Sequence, residues 1–184
     1  MAINSRNKGN KAERVVAKLL EGWTGKQFAR TPSSGGLQWK TTNSKGDIVC
    51  TTEGHLFPFC IEIKHHKKID FNELLIGSKK TPKIIGFWEQ CIRDAKLAKK
   101  APLLIFRYNN LPKDFFFVIL ETPLYIKLLK SLPEDINNQE LFHIKLKDYN
   151  LTILTTKALF EFSYKEIRKT LKPLLRKWRK LDKA

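Results

Sequence analysis

The spacing of apolar and polar residues predicts an alternation of helices and strands in the first 109 residues. Apolar residues at helical spacing indicate amphipathic helices, and alternating or continuous apolar runs indicate strands. The predicted elements are, in chain order, a helix over residues 10–23, strands over 26–30, 46–52 and 56–64, a helix over 86–100 and a strand over 102–106. The last strand is apolar throughout, which is typical of a parallel strand covered by a crossover helix. The pattern therefore predicts an α/β fold.

The remaining residues, 110–184, give a weaker pattern. It predicts strands over 115–120, 141–147 and 151–155, a short helix over 123–132 and a final helix over 164–182. The final helix is basic, since residues 163–184 contain nine Lys or Arg and two acids. We interpret 110–184 as an α+β extension that ends in a basic helix and packs on a core formed by 1–109.

The net charge points to a polyanionic partner. The chain has 35 Lys and Arg against 18 Asp and Glu, a formal charge of +17. Such an excess opposes compaction by self-repulsion and usually serves nucleic acid binding. An anionic membrane surface is a weaker candidate, because no strongly amphipathic basic helix lies near the N-terminus. A lysine-rich composition without a partner remains an alternative at this point.

The cysteines and the apolar runs predict a cytoplasmic protein. Cys50, Cys60 and Cys91 form no CxxC pair and are odd in number, which favours buried thiols over disulfides or a zinc site. The longest apolar run, 115–120, is far shorter than the roughly 18 residues of a membrane span. The polar N-terminus lacks the apolar segment of a secretory signal.

The stretch FCIEIKHH, residues 59–66, places charged side chains on an otherwise apolar strand. Side chains on a strand alternate between its faces, so Ile61 and Ile63 share the face that suits a core. Glu62 and Lys64 share the opposite face, with their Cα atoms about 7 Å apart. Taken alone, such a pair is usually a solvated ion pair worth less than about 1 kcal/mol.

Two further carboxylates are expected near this strand. Asp47 begins the preceding strand, and an antiparallel hairpin that turns near Glu53 brings it beside Glu62. Glu13 lies about 90° from the centre of the apolar stripe of the first helix, from where it can reach the sheet. Converging carboxylates suit Mg²⁺, and Lys64 can orient a water or steady the charge on a phosphate. Each residue alone has an ordinary structural explanation, but their conjunction in a basic chain favours a functional site.

These motifs resemble the signature of the PD-(D/E)xK nuclease superfamily. DIV at 47–49 followed by EIK at 62–64 resembles its active-site motif, and the order helix, three strands, helix, strand resembles its core. KGNKAER at 8–14 and RTPSSGG at 30–36 resemble segments of archaeal-type Holliday junction resolvases and related phage enzymes. The resemblance implies a restriction-endonuclease-like core, a mixed sheet flanked by helices. Gly46 is a departure, because it stands where the motif has proline.

The resemblance also implies roles for particular residues. The implied catalytic residues are Glu13, Asp47, Glu62 and Lys64. The implied ligands of Mg²⁺, for which Mn²⁺ would substitute, are Glu13, Asp47, Glu62 and the carbonyl of Ile63. The predicted nucleic-acid contacts are Arg14, Arg30, Ser33, Ser34, Lys45, His65, Lys67 and Gln90. His65 and His66 point to opposite faces of the strand, so joint metal binding by the two is not expected.

The implied activity is Mg²⁺-dependent hydrolysis of DNA phosphodiester bonds that leaves 5′-phosphates. A resolvase nicks two symmetric strands of a four-way junction, so a homodimer is expected, associated with nucleoid or phage DNA in recombination or repair. Three alternatives stay open: another endonuclease of the superfamily, such as a restriction-like, mobile-element or repair enzyme; a DNA-junction-binding protein without activity; and a basic RNA-associated protein. The last explains the charge but not the four grouped residues.

Overall fold

The computed structural model describes residues 5–31, 45–68, 82–130, 142–146 and 149–181, which form five helices and seven strands. These elements are α1 Ser5–Thr24, β1 Phe28–Arg30, β2 Ile48–Cys50, β3 Phe59–His66, α2 Lys83–Ala98, β4 Ala101–Tyr108, β5 Phe117–Glu121, α3 Thr122–Leu129, β6 Phe142–Leu146, β7 Tyr149–Thr155, α4 Thr156–Glu161 and α5 Tyr164–Leu181.

The strands form one mixed sheet in the order β1-β2-β3-β4-β5-β7-β6. Only β3 and β4, among these described strands, run parallel, and they pair over their full length from Phe59–Ala101 to His66–Tyr108. The other neighbours are antiparallel. Helix α2 connects the parallel pair, as a crossover must. The predicted α/β fold with a mixed sheet flanked by helices is therefore confirmed.

Alternation along the central strands divides the core into two layers. Leu103 and Ile105 of β4 lie in the larger cluster, with α1, α3, α4 and α5. Leu104 and Phe106 face the other way and pack with α2, chiefly around the fully buried Trp88. Because β3 and β4 are covered on both faces, their apolar runs are nearly continuous. The charged residues of β3 therefore lie on a strand that is covered on both faces.

Residues beyond 109 continue the same sheet. β5 pairs with β4, and β7 and β6 extend the sheet to its far edge. Helix α5 buries Ile167, Leu171 and Leu175 in the cluster that α1 occupies. The division of the chain at 109 stays a prediction, and strands from both sides of it hydrogen-bond to each other. None of the helices in the described ranges is long and apolar enough to cross a membrane.

The first helix begins earlier than the sequence pattern predicts. It starts at Ser5, five residues before Asn10, where the apolar pattern predicts the start. The first residues of the helix are polar, so no apolar spacing marks them. Asn10 consequently lies inside α1, where its side chain is available for a contact across the fold.

Candidate active site

Asp47 is anchored to β3 by two hydrogen bonds. Its backbone N–H donates to the Ile61 carbonyl at 2.8 Å. Its carboxylate Oδ2 accepts from the backbone N–H of Ile63 at 2.6 Å. Ile63 lies between Glu62 and Lys64 in the sequence, so these bonds hold the aspartate against the segment of β3 that carries the other two charged groups.

Gly46 allows this close approach. Its φ is +92°, in the region that favours glycine. A Cβ at this position would lie 2.6 Å from the carbonyl oxygen of Ile61 and 3.1 Å from Sγ of Cys60. Backbone carbonyls cannot move aside cheaply, so only glycine fits between the start of β2 and β3.

We expect Gly46→Ala to lower the free energy of unfolding by about 2–4 kcal/mol, because the φ strain and the contact with Ile61 add. Urea unfolding followed by circular dichroism measures it. Gly86→Ala is the matched control: Gly86 is an exposed residue of α2 whose added Cβ meets nothing within 4 Å. That change should be neutral or stabilising by up to about 1 kcal/mol. Equal effects of the two substitutions would contradict the geometry at Gly46.

Glu62, Lys64 and Gln90 form a closed hydrogen-bonded group. Lys64 Nζ donates to Glu62 Oε1 at 2.5 Å and to Gln90 Oε1 at 3.0 Å. Gln90 Nε2 donates to the same Glu62 oxygen at 2.8 Å. The Phe87 ring lies 5.5 Å from Nζ, at the outer limit of a cation–π contact. Helix α2 therefore fixes the lysine and the glutamate on the face of β3 that it covers.

Burial sets the charge state of the two carboxylates. Glu62 is only 3% exposed, and its burial raises its pKa while the hydrogen bond from Lys64 opposes the rise. Burial, and then the charge of Glu62, raise the pKa of Asp47 to about 7. A half-buried Asp47 carboxylate beside a buried Glu62 carboxylate, with one ammonium group next to Glu62, leaves a deficit of positive charge.

A divalent cation fits this deficit. Mg²⁺ is held in proteins by one or two carboxylates and keeps several waters, which matches the pair Asp47 and Glu62. In the part of the chain that the structure describes, no three His, Cys, Asp or Glu side chains are grouped closely enough to hold a metal. Glu13 and the Ile63 carbonyl as further ligands stay predictions.

Glu13 and Arg30, both predicted site residues, contact each other. The Arg30 guanidinium pairs with the Glu13 carboxylate and donates to Asn10 Oδ1 at 2.6 Å. These contacts join α1 to β1 at the open end of the β2–β3 hairpin, where Thr31 N–H donates to the Asp47 carbonyl. The charge of Glu13 also raises the pKa of both Asp47 and Glu62. The structure therefore brings Glu13 into the electrostatic surroundings of the carboxylate pair.

The other predicted nucleic-acid contacts lie around this group or outside the described residues. Arg14, Lys45 and Lys67 are exposed. His65 is half-buried, and its burial lowers its pKa, so it is uncharged at neutral pH. Ser33 and Ser34 lie outside the described ranges. The roles of all these residues in binding stay predictions.

Sequence reasoning missed two residues at the site. Asn10 holds Arg30, and Phe87 packs on both Lys64 and His66, whose ring centroid is 4.8 Å away. Phe87 gave no signal, because a single aromatic residue in an amphipathic helix is usually part of the core. Asn10 gave a misleading one, because Asn before an apolar stripe is typical of a helix cap.

Two comparisons with known proteins bear on this arrangement. Residues 4–170 match a family described as "Phage putative PDDEXK endonuclease". Over 113 residues the chain is 34% identical to Protein D14 of Escherichia phage T5, which covers 60% of this chain and 68% of the T5 protein. The family match takes in the carboxylate pair, Lys64, Gln90 and strands β1 to β7 of the sheet.

Proposed function

Because the chain belongs to the phage PD-(D/E)xK endonuclease family, we propose that it is a Mg²⁺-dependent endonuclease that cuts branched DNA. The hydrogen bond from Ile63 N–H to Asp47 Oδ2 is the observation that carries this proposal. It brings the aspartate of the family motif against the strand that bears Glu62 and Lys64. The net charge of +17 suits the polyanionic substrate that a nuclease implies.

In the proposed site Asp47 and Glu62 hold the cation. When bound there, Mg²⁺ would supply a Lewis acid that lowers the pKa of water and offsets phosphate charge. Lys64 supplies a second positive charge beside the attacked phosphate. Gln90 and Glu62 restrict its ammonium group to one position, so little reorganisation is needed when charge develops on the phosphate oxygens.

Resolution of four-way junctions by a homodimer is the finer part of the proposal. It rests on the resemblance of KGNKAER at 8–14 and RTPSSGG at 30–36 to segments of junction resolvases. The contact between Glu13 and Arg30 supports it, because it joins one residue from each of these two segments close to the carboxylate pair. Another endonuclease of the same family, with a linear or forked duplex as its substrate, is the second candidate, and membership of the family suits it equally.

A gel cleavage assay with Mg²⁺ separates these candidates. It compares an immobile four-way junction with a linear duplex, a fork and a single strand of matched sequence, for the wild type and Glu62→Ala. Paired symmetric nicks in the junction alone, lost in the variant, support a resolvase. Cuts in the duplex or fork instead overturn the junction proposal and keep the nuclease. Tight binding without cleavage of any substrate, in Mg²⁺ or Mn²⁺, overturns both.

A further inference from the structure

Helix α5 carries a row of cations on an exposed face away from the carboxylate pair. Between Tyr164 and Arg176 its sequence has five basic residues and one acid. Arg168, Lys172 and Arg176 are exposed and follow one another at intervals of four residues. Residues four apart share a helix face, so these three side chains form a line about 12 Å long.

The line borders an open groove of about 530 Å³. Its cationic wall is Arg168, Lys169, Lys172 and Arg176, and its apolar part is Leu56, Pro58 and Leu175. Lys169 is partly engaged by Glu166, 3.6 Å away on the same helix. Leu56 is 44% exposed, which gives the groove an apolar edge opposite the cations. A surface of this kind suits a chain that is charged at regular intervals and apolar between the charges.

The N-terminal end of α5 is fixed to the rest of the fold. The Trp23 indole N–H donates to the Phe162 carbonyl at 3.0 Å, and Tyr164 hydroxyl and His55 Nε2 are 2.6 Å apart. The Arg168 guanidinium lies over the Tyr164 ring at 6.0 Å. The start of α5 is therefore fixed to the fold, and the burial of Ile167, Leu171 and Leu175 in the core holds the rest of the row in place.

The groove lies at least four residues along β3 from Glu62, and α5 packs on the face of the sheet opposite to the one that carries Glu62. Pro58 lines the groove just before β3 begins, and Glu62 lies four residues further along the strand. That corresponds to about 13 Å at the rise of a strand. One DNA strand passes about four phosphates in that distance along the duplex axis. The 12 Å row of cations on α5 spans three to four more by the same measure.

We propose that the α5 groove binds the sugar–phosphate backbone of the DNA substrate at least about four nucleotides from the cleaved bond. The inference rests on the proposed function, since it takes DNA as the substrate. The regular cations contact phosphates, and Leu56, Pro58 and Leu175 lie against the deoxyribose between them. The groove contributes affinity without base preference, because phosphate contacts carry no sequence information directly.

The test measures the salt dependence of binding. Fluorescence anisotropy with a labelled four-way junction and a labelled duplex gives the dissociation constant at several salt concentrations. The Glu62→Gln substitution and EDTA together prevent cleavage of the DNA during the titration. In that background Lys172→Gln/Arg176→Gln is compared with Lys96→Gln/Lys157→Gln, which removes the same charge from exposed positions outside the groove. We expect the groove pair to weaken binding on the order of tenfold and to reduce the slope of log K against log salt by about 2.

Equal slopes for the two double variants overturn the α5 groove as a DNA site. A loss confined to one DNA sequence also overturns it, because phosphate contacts act on all sequences alike. Failure of the nuclease proposal would show in the cleavage assay instead. If the wild type cuts no DNA in Mg²⁺ but Lys172→Gln/Arg176→Gln still lowers the salt slope, the groove proposal stands and the nuclease proposal fails. If the wild type cuts DNA and the slopes are equal, only the groove is wrong.

Discussion

Asp47→Asn is expected to reduce cleavage to below roughly a thousandth of the wild-type rate while making the metal-free protein more stable. Asparagine is close to isosteric, and its carbonyl oxygen can still accept the hydrogen bond from Ile63 N–H, so the hairpin geometry is kept. What disappears is a negative charge that is needed for the cation. That same charge is unfavourable in the metal-free fold, because it is buried beside Glu62.

The stabilisation should depend on pH in a definite direction. Burial, and then the charge of Glu62, raise the pKa of Asp47 in the folded protein to about 7 from its ordinary value of 3.8. Above pH 7 the carboxylate is charged in both states, and the full cost of holding it in the fold is present. Below pH 7 the folded state takes up a proton, and the cost falls until it is absent below pH 4. The pKa shift sets an upper limit of about 4 kcal/mol on the free energy of unfolding that Asp47→Asn can add.

Thermal melts at pH 8 and pH 5 check this expectation. In EDTA at pH 8, Asp47→Asn should melt several degrees above the wild type, and at pH 5 the difference should shrink. Mg²⁺ should raise the melting temperature of the wild type at pH 8 and leave the variant unchanged, since a ligand that binds only the folded state stabilises it. A variant that melts below the wild type at pH 8, or gains as much from Mg²⁺, would show that Asp47 is not part of a charged cation site.

Lys64→Met is expected to lower the single-turnover cleavage rate by at least about 100-fold, the scale of losing one preorganised charge at a transition state. Affinity for DNA should change far less, because one cation among 35 Lys and Arg adds little to phosphate binding. The substitution also leaves Glu62 buried without its ammonium partner, so its pKa should rise further. Some loss of stability will therefore accompany the loss of rate.

Two comparison variants separate these effects. Lys64→Arg keeps a positive charge next to Glu62 and so preserves the fold, but a planar guanidinium does not reproduce a compact ammonium group. Lys113→Met removes an exposed lysine from the loop before β5 and should leave the rate unchanged. Quenched-flow cleavage with enzyme in excess measures the rate, and circular dichroism checks folding. A Lys64→Met enzyme that cuts at the wild-type rate would exclude Lys64 from the chemistry.

The period of two along residues 59–66 was sufficient to predict which side chains of β3 share a face. Ile61 and Ile63 do lie in one core cluster, and Glu62 and Lys64 do contact each other on the other side. The pattern does not say what covers that second face. Glu62 is almost fully excluded from solvent because α2, which lies twenty or more residues further along the sequence, packs over it.

Contacts between distant segments account for most of what the sequence could not predict. Arginine is a residue type that often contacts phosphate, and no local signal around Arg30 shows that Glu13 and Asn10 lie beside it. Gln90 entered only through the family resemblance, and its two hydrogen bonds depend on the packing angle of α2 against the sheet. The start of α1 was missed because its first turn is polar on all sides, and polar turns have no apolar period to detect.

The backbone at Gly46 bears on how this chain relates to the motif that names its superfamily. Proline holds φ near −65°, whereas Gly46 has φ +92°. Proline, the first residue of the motif, therefore cannot adopt the backbone conformation of position 46 in this chain. A mutation to proline would have to rebuild the entry into β2 before it could be tolerated. Gly46→Pro would therefore fail to hold Asp47 against Ile61 and Ile63 in the geometry of this chain. Recognition of distant relatives should accordingly weigh Asp47 and the Glu-x-Lys triplet and ignore the residue in front of them.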